Sequence, residues 1–251
     1  MSTTNSLGQP IGDPLPDWKG AQPPVREPIE GARCRLEPLE ADRHAKALHD
    51  AYEEDADGRN WTYLPYGPFA TADDYHAFVA TMTALDHTHF FAIVDRERDA
   101  PIGVASYLRA EPPMGSIEVG HLSYAPALQR TPLSTEAMYL MMRRVFDDWG
   151  YRRYEWKCDS LNAPSVAAAR RLGFRYEGLF RQHVVFKGRN RDTSWLAITD
   201  VEWPAIRDAL EAWLAPENFD AGGRQRRSLA ALMPPSAGTP IVGPEAAGAS
   251  V

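Results

Sequence analysis

Residues 116–124, SIEVGHLSY, run into APALQRTPLSTEA at 125–137; with RYEWKCD at 153–159, NAPS at 162–165 and RLGF at 171–174 they decide the fold. Ile117, Val119, His121 and Ser123 alternate with Glu118, Leu122 and Tyr124, the period of a strand. The chain then turns, and Thr131 and Pro132 supply an N-cap and a first-turn proline for a helix. Leu133, Ala137, Leu140, Met141, Val145 and Trp149 recur along one helical face until Gly150 stops it. Arg153 to Asp159 alternates again, Tyr154, Trp156 and Cys158 against Arg153, Glu155 and Lys157. Asn162 caps a short helix that Gly173 and Phe174 end. A helix beginning directly behind a strand offers free N–H groups and the positive end of its dipole to an anion. Most strand-to-helix turns are only connections, so this junction alone leaves both readings open.

The ordered string of Glu118-Val119-Gly120, Gln129, Thr135-Glu136-Ala137, Asn162-Ala163-Pro164-Ser165, Arg171-Leu172-Gly173-Phe174 and Glu177-Gly178 resembles the GNAT superfamily of acyl-CoA-dependent N-acetyltransferases. Within it, the RimJ/RimL-like branch is the most similar, over roughly Arg33 to Leu214. The resemblance implies an α+β (mixed α/β) single domain, with a central, mostly antiparallel twisted sheet, flanking helices and a splayed pair of parallel strands that binds acyl-CoA. It also implies acetyl-CoA as co-substrate, no metal, and direct attack by an acceptor amine in a ternary complex. The family's pyrophosphate loop usually reads Gln/Arg-x-x-Gly-x-Gly/Ala, whereas this frame is Gln129-Arg130-Thr131-Pro132-Leu133-Ser134. Glycine lets a backbone approach phosphate closely, and proline removes a donor. The expected cradle is therefore made by the N–H groups of Thr131, Leu133, Ser134 and Thr135, with the Ser134 and Thr135 hydroxyls and Arg130. This departure keeps a non-catalytic binding module with the same fold as an alternative.

Outside this core, 251 residues with 44% hydrophobic, 24% charged and a net charge of −7 describe a globular chain without the basic footprint of a nucleic-acid binder. Cys34 and Cys158, with no C-x-x-C, argue against a structural zinc site and a disulfide framework. No apolar run approaches eighteen residues and the N-terminus lacks the pattern of a signal peptide, so a cytoplasmic protein without membrane contact is expected. Three regions are expected: a proline-rich arm over 1–32, the acetyltransferase-like domain over 33–215, and a low-complexity tail over 216–251. Trp18 pins the arm to the domain or to a second subunit, or the arm is solvated; a homodimer stays open. Residues 221–251, mainly Ala, Gly, Pro and Ser, are too poor in apolar groups to order by themselves.

Within the domain, 33–38 reads as a strand, 40–52 as a helix, and Thr71 with Asp74 opens a helix through Met82. Residues 90–94 and 102–108 form a hairpin across a polar turn. Residues 180–187 and 193–199 form a second one across Gly188 to Asp192, which closes the sheet on the acceptor side, and 202–214 is an amphipathic helix. Between the first two helices, Trp61, Tyr63, Tyr66 and Phe69 crowd a turn-rich loop that is either a packed lid or the edge of a substrate pocket.

Acetyl transfer to an amine needs a held thioester, a polarised carbonyl, a neutral amine and a proton for the thiolate. The resemblance places the carbonyl contact at Leu122, Ser123 and Tyr124. Glu118 is a candidate base or a salt-bridged strand residue. RimL-like enzymes use a later glutamate whose position here is Val184, beside His183. His183 is the second candidate base and His121 the third, each against a purely structural role. The family's usual tyrosine acid falls at Ala169; the resemblance offers Ser165 instead, three residues after Asn162, which would bond the pantetheine arm. Trp61, Tyr63, Tyr66, Trp156, Arg181 and Asp192 are the expected acceptor contacts. Arg181 and Arg191 suit a carboxylate and Asp192 a cationic amine, unless they pair with one another. The acceptor expected is a small-molecule amine or a peptide N-terminus of the ribosomal-protein type.

Overall fold

The computed structural model describes residues 3–235. A two-residue pair, β1 (Thr3–Thr4) and β2 (Pro10–Ile11), precedes a sheet of eight strands. These are β3 (Ile29–Glu30), β4 (Cys34–Pro38), β5 (Thr88–Asp95), β6 (Ala100–Glu111), β7 (Ser116–Tyr124), β8 (Arg153–Asp159), β9 (Arg175–Phe186) and β10 (Arg189–Thr199). The spatial order is β3-β4-β5-β6-β7-β8-β10-β9, and every neighbouring pair is antiparallel except β7 and β8. The expected mixed sheet with one parallel pair is therefore present.

Helices cover both faces because the strands alternate. Tyr107 on β6 donates its hydroxyl to the Met141 carbonyl of α3 (Pro132–Arg143), while Val104 on the same strand lies with Val79 of α2 (Ala72–Thr83) on the other face. On the latter side α1 (Ala41–Tyr52) packs against α2. On the former, α5 (Trp203–Leu214) lies against α3 and buries Ile206, Leu210, Trp213 and Leu214. Thr71 caps α2 by accepting from the Asp74 N–H, as the sequence pattern predicts; such a cap is worth about 1 kcal/mol. Past Arg143 the helix widens into a π turn over Arg144–Asp148 and stops at Gly150, whose φ of +71° suits glycine.

One carboxylate ties the first strands to the helix behind β7. Glu136, 5% exposed, accepts from the N–H groups of Ala32 (3.2 Å), Arg33 (2.6 Å) and Cys34 (2.8 Å), which form the turn between β3 and β4. Gly31 sits so close that a Cβ there would lie 2.7 Å from Leu140. Burial and the Glu136 carboxylate beside it push the Cys34 thiol far above its usual range.

The proline-rich arm is not a solvated tail. Trp18 donates its indole N–H to the Pro113 carbonyl (2.9 Å), lies against Gly115, and is covered by the Arg152 guanidinium at 5.5 Å. Ala21 and Gln22 bond the carbonyls of Pro112 and Trp149. Arg26 reaches Thr83, Leu85 and Thr88, and Arg144 reaches back to Glu27 and Pro28. Of the readings open for Trp18, the one pinning it to its own domain holds. The segment after α5 is ordered as well. A turn over Pro216–Asn218 and a short helix, α6 (Leu229–Leu232), bring Leu229 into the core at 1% exposure.

Candidate active site

The parallel pairing of β7 and β8 covers only Ser116↔Arg153, Ile117↔Tyr154, Glu118↔Glu155 and Val119↔Trp156. Beyond it the two strands separate. The cause lies on the other edge of β7, where Gly120 and Ser123 pair with Ser106 and Val104, so that His121 and Leu122 stand opposite one residue. This bulge puts His121 at φ +53° and turns β7 away from β8. From 120 to 124 the backbone of β7 keeps β6 as its partner and gives up β8.

The opening is the floor of a groove of about 1960 Å³, lined by Gly120, Leu122, Tyr124, Trp156, Cys158 and Ser165 among others. At one side stands the loop between β7 and α3. Arg130 adopts φ +59°, in the left-handed region, and Thr131 caps α3 by accepting from the Ser134 N–H. Pro132 occupies the first helical position, where its missing N–H breaks no bond within the helix. The helix N-terminus therefore survives the proline, with the Leu133 N–H among the donors that helix geometry leaves without a partner inside the helix. Gln129 uses its amide on the Tyr124 carbonyl (2.9 Å) and on Asn60 (3.3 Å), which itself bonds the Tyr124 carbonyl. Its role is to fasten the loop to the strand end. Thr135 is buried and its hydroxyl accepts from Arg171 at 3.0 Å.

On the opposite side, Asn162 caps α4 (Ala163–Arg171) by accepting from the Ser165 N–H. The Ser165 hydroxyl accepts the indole N–H of Trp156 at 2.9 Å. Trp156, 5% exposed, lines the groove and positions Ser165. The arrangement spends a lone pair of Ser165 Oγ, and the same hydroxyl hydrogen-bonds the Cys158 side chain. Cys158 nearby is buried, and desolvation raises its thiol.

Glu118 is ion-paired. At 3% exposure it receives Arg109 on both oxygens (2.7 and 2.8 Å) and Lys157 at 2.7 Å. Lys157 also bridges Glu155 at 2.7 Å and lies over the Trp195 ring at 3.8 Å. Of the two readings of Glu118, geometry favours the salt-bridged strand residue. His121 bonds the Tyr66 hydroxyl through Nδ1 at 3.1 Å and stacks on its ring. Burial, helped by the Arg109 charge, lowers its imidazolium to about 4, which makes it neutral but a weak proton acceptor. His183 faces the groove from β9 with Nδ1 anchored 3.0 Å from the Thr193 hydroxyl.

The remaining expected contacts divide. Trp61 is buried among Tyr52, Phe69 and Tyr75, and Tyr66 packs on Phe78 and His121. Both build the lid rather than its inner surface. Tyr63 does line the groove and reaches across it to the Leu161 carbonyl (3.0 Å). From the second hairpin, Lys187 bonds the carbonyls of Trp61 (2.8 Å) and Tyr66 (3.1 Å). The aromatic loop is thus fastened at both ends and roofs the opening. Arg181 and Asp192 lie away from the lining; Asp192 accepts from the Gln182 N–H and the Asn190 amide and stabilises the hairpin bulge. Ser123 lies with Trp61 and Tyr66 on the apolar side, its carbonyl accepting from the Tyr52 hydroxyl (3.0 Å), and neither Ser123 nor Leu133 is part of the groove lining.

Sequence reasoning missed three contributors. Arg109 reaches Glu118 through the register of the β6–β7 hairpin, and Lys157 through the parallel pairing of β7 with β8, a strand distant in sequence. Asn60 acts through a long-range bond to a strand end. The third is the segment after α5, whose Phe219, Gly223, Gln225, Ser228, Leu229 and Ala230 line the far end of the groove. Its composition carries no signal of this.

Residues 33–175 match the family model described as Acetyltransferase (GNAT) domain. A GCN5-related N-acetyltransferase from Brucella melitensis has a crystal structure 43% identical in sequence, covering 87% of this chain and 99% of its own, with a TM-score of 0.85. The uncharacterised N-acetyltransferase YnaD of Bacillus subtilis is 27% identical over 154 residues, 61% of this chain and 87% of its own. RimL, a ribosomal-protein alpha-N-acetyltransferase solved in complex with coenzyme A, is 21% identical with a TM-score of 0.56. That match covers 69% of this chain and 99% of RimL, and shares the fold. Among the described residues no helix is long and apolar enough to cross a membrane.

Proposed function

The chain belongs to the GNAT acetyltransferase family, and from that premise we propose that it carries an acetyl group from acetyl-CoA to the primary amine of a small, amino-acid-like acceptor, by direct attack in a ternary complex. The observation that carries this reading is the roofed passage through the β7–β8 opening. Tyr63 on Leu161 and Lys187 on Trp61 and Tyr66 hold the aromatic loop over it, which favours a compact acceptor over a long peptide.

Acetyl-CoA supplies the activated acetyl thioester. The α3 N-terminus at Thr131–Thr135 and Arg130 would hold its phosphates, and Asn162 with the backbone of 122–124 its pantetheine end. The backbone released from β8 offers donors to a carbonyl in place of the lost sheet partner. His183, oriented by Thr193, takes the ammonium proton so that the amine can attack. Ser165 gives its proton to the departing sulfur and takes one from the acetylated nitrogen as the intermediate collapses, while the Trp156 N–H stabilises the charge on Oγ in between. The Arg109–Glu118–Lys157 cluster fixes the floor beside them.

A screen of small amines for thiol release from acetyl-CoA tests the proposal. Ser165→Ala should lower kcat about 100-fold while calorimetric affinity for acetyl-CoA stays within about twofold. His183→Gln should lower kcat about 100-fold with acetyl-CoA affinity within about twofold of the wild type. Full turnover by Ser165→Ala, or binding of acetyl-CoA without transfer to any small amine, would overturn the assignment.

A further inference from the structure

The segment that follows α5 is built like a strap, and its placement is specific. Asn218, 8% exposed, donates its amide to the carbonyls of Trp213 (3.0 Å) and Arg227 (3.1 Å) and accepts the Arg227 N–H (2.9 Å). Asp220 collects the N–H groups of Gly222 and Arg224, which closes a turn in which Phe219 bridges Gln225. Leu229 plugs the core. A segment fixed at both ends in this way does not lie over the groove by chance of packing at one point.

The charge on it is unbalanced. Arg224, Arg226 and Arg227 fall within four residues of a chain whose net charge is −7. All three are exposed, and among the described residues none makes an ion pair. The segment's nearest acid, Asp220, has its carboxylate committed to the turn. Arg171 lies where the strap meets the helix N-terminus of α3. It bonds Thr135, stands 4.9 Å over the Trp213 ring, and makes no ion pair among the described residues; desolvation lowers its guanidinium below the usual range. The Trp213 indole N–H is taken by Gln225 Oε1 at 2.8 Å, which turns that amide's two N–H donors outward. Thus the end of the groove beyond the α3 N-terminus is lined by the Trp213 indole, the Gln225 amide and the Arg171 guanidinium, and the exposed Arg224, Arg226 and Arg227 flank the lining residues Gly223, Gln225 and Ser228 at its rim.

We propose that residues 219–230 form a nucleotide strap, which binds the adenosine 3′,5′-bisphosphate end of the acyl-CoA and reads its ribose 3′-phosphate through Arg224, Arg226 and Arg227. This rests on the cofactor reading above and adds to it a binding element outside residues 33–175, the span of the family match. The α3 N-terminus takes the pyrophosphate, and the strap takes the nucleoside and its 3′-phosphate further along the groove. Guanidiniums suit a dianionic phosphate because their N–H forks bond it in pairs.

The test is calorimetric titration of the full chain with CoA and, separately, with 3′-dephospho-CoA. The wild type should bind CoA about tenfold more tightly than its dephospho form. The variant R224A/R226A/R227A, exposed at all three positions and checked for an unchanged melting temperature, should lose that tenfold for CoA and lose nothing for dephospho-CoA. Gln225→Ala should weaken both ligands equally, by a few-fold. Equal affinity of the wild type for the two ligands, or an arginine variant that binds CoA as the wild type does, overturns the strap while leaving the acetyltransferase reading intact. Binding of neither ligand by the wild type overturns both.

Discussion

The two ends of the described chain make an instructive pair. The arm and the segment after α5 are similar in composition, poor in large apolar groups and rich in turn formers, yet both are held in place. The arm runs along the turn between β6 and β7 and the end of the π turn; Trp18 and Arg26 donate to carbonyls of the domain, and Arg144 donates back to carbonyls of the arm. Among the described residues none of 3–32 lines the groove. The segment after α5 instead ends in the groove wall. One flank fastens the scaffold and the other completes the site, a difference set by which partner satisfies their backbone groups rather than by their own composition.

If that division holds, removing residues 1–28 should produce the largest effect of any change to the flanks. About 5 kcal/mol of stability should be lost in urea unfolding, with acetyl-CoA affinity of the surviving folded protein unchanged. A loss of affinity matching the loss of stability would erase the distinction. The next effect belongs to neither flank. His121 is held neutral in the fold, its value lowered to about 4, while the unfolded chain binds a proton below about pH 6.5. The unfolded state then carries more protons, so stability falls as pH drops from 6.5 through 4, by about 3 kcal/mol in all, and levels off below. His121→Gln should flatten this part of the acid limb, whereas deleting either flank should leave it in place; an unaltered slope in His121→Gln would remove the histidine from the account.

Single anchors give smaller effects. Trp18→Ala should cost about 2 kcal/mol, since a half-buried indole loses its packing, its bond to Pro113 and the Arg152 contact, with acetyl-CoA affinity within twofold of the wild type. Asn218→Ala should do the reverse. Amide exchange across 219–231 should quicken and acetyl-CoA affinity drop about threefold, with little change in the global unfolding midpoint. Protection of those amides as in the wild type would mean that Leu229 alone secures the segment.

Much of the central fold was legible because its determinants are local. Thr131, Pro132 and Asn162 mark helix starts within a few residues, and the alternation at 116–124 and 153–159 gives the two parallel strands directly. Ser165 was singled out by the family resemblance, which puts a serine three residues after the asparagine, and the fold sets it against the Trp156 indole. Glu118 could not be resolved as base or ion pair, since Arg109 and Lys157 reach it only once the β6–β7–β8 register is set. The same holds for Trp156, whose indole N–H meets Ser165 across the turn, and for Asp192, whose carboxylate is used by the bulge beside it. The flanks were least legible, because Trp18 finds Pro113 and Asn218 finds Arg227 through backbone carbonyls, which have no sequence signature.

Glu136 has a consequence for the way the molecule comes into being. Its carboxylate gathers the N–H groups of a turn made about a hundred residues earlier, and Trp18 waits similarly for Pro113. A ribosome that emits the chain from its N-terminus therefore delivers the arm first and sees it dock late, after the strands it crosses have emerged. The segment after α5 is delivered after every strand of the sheet. The nascent domain passes through a stage in which its sheet is paired and its scaffold fastened while one end of the groove still lacks its wall.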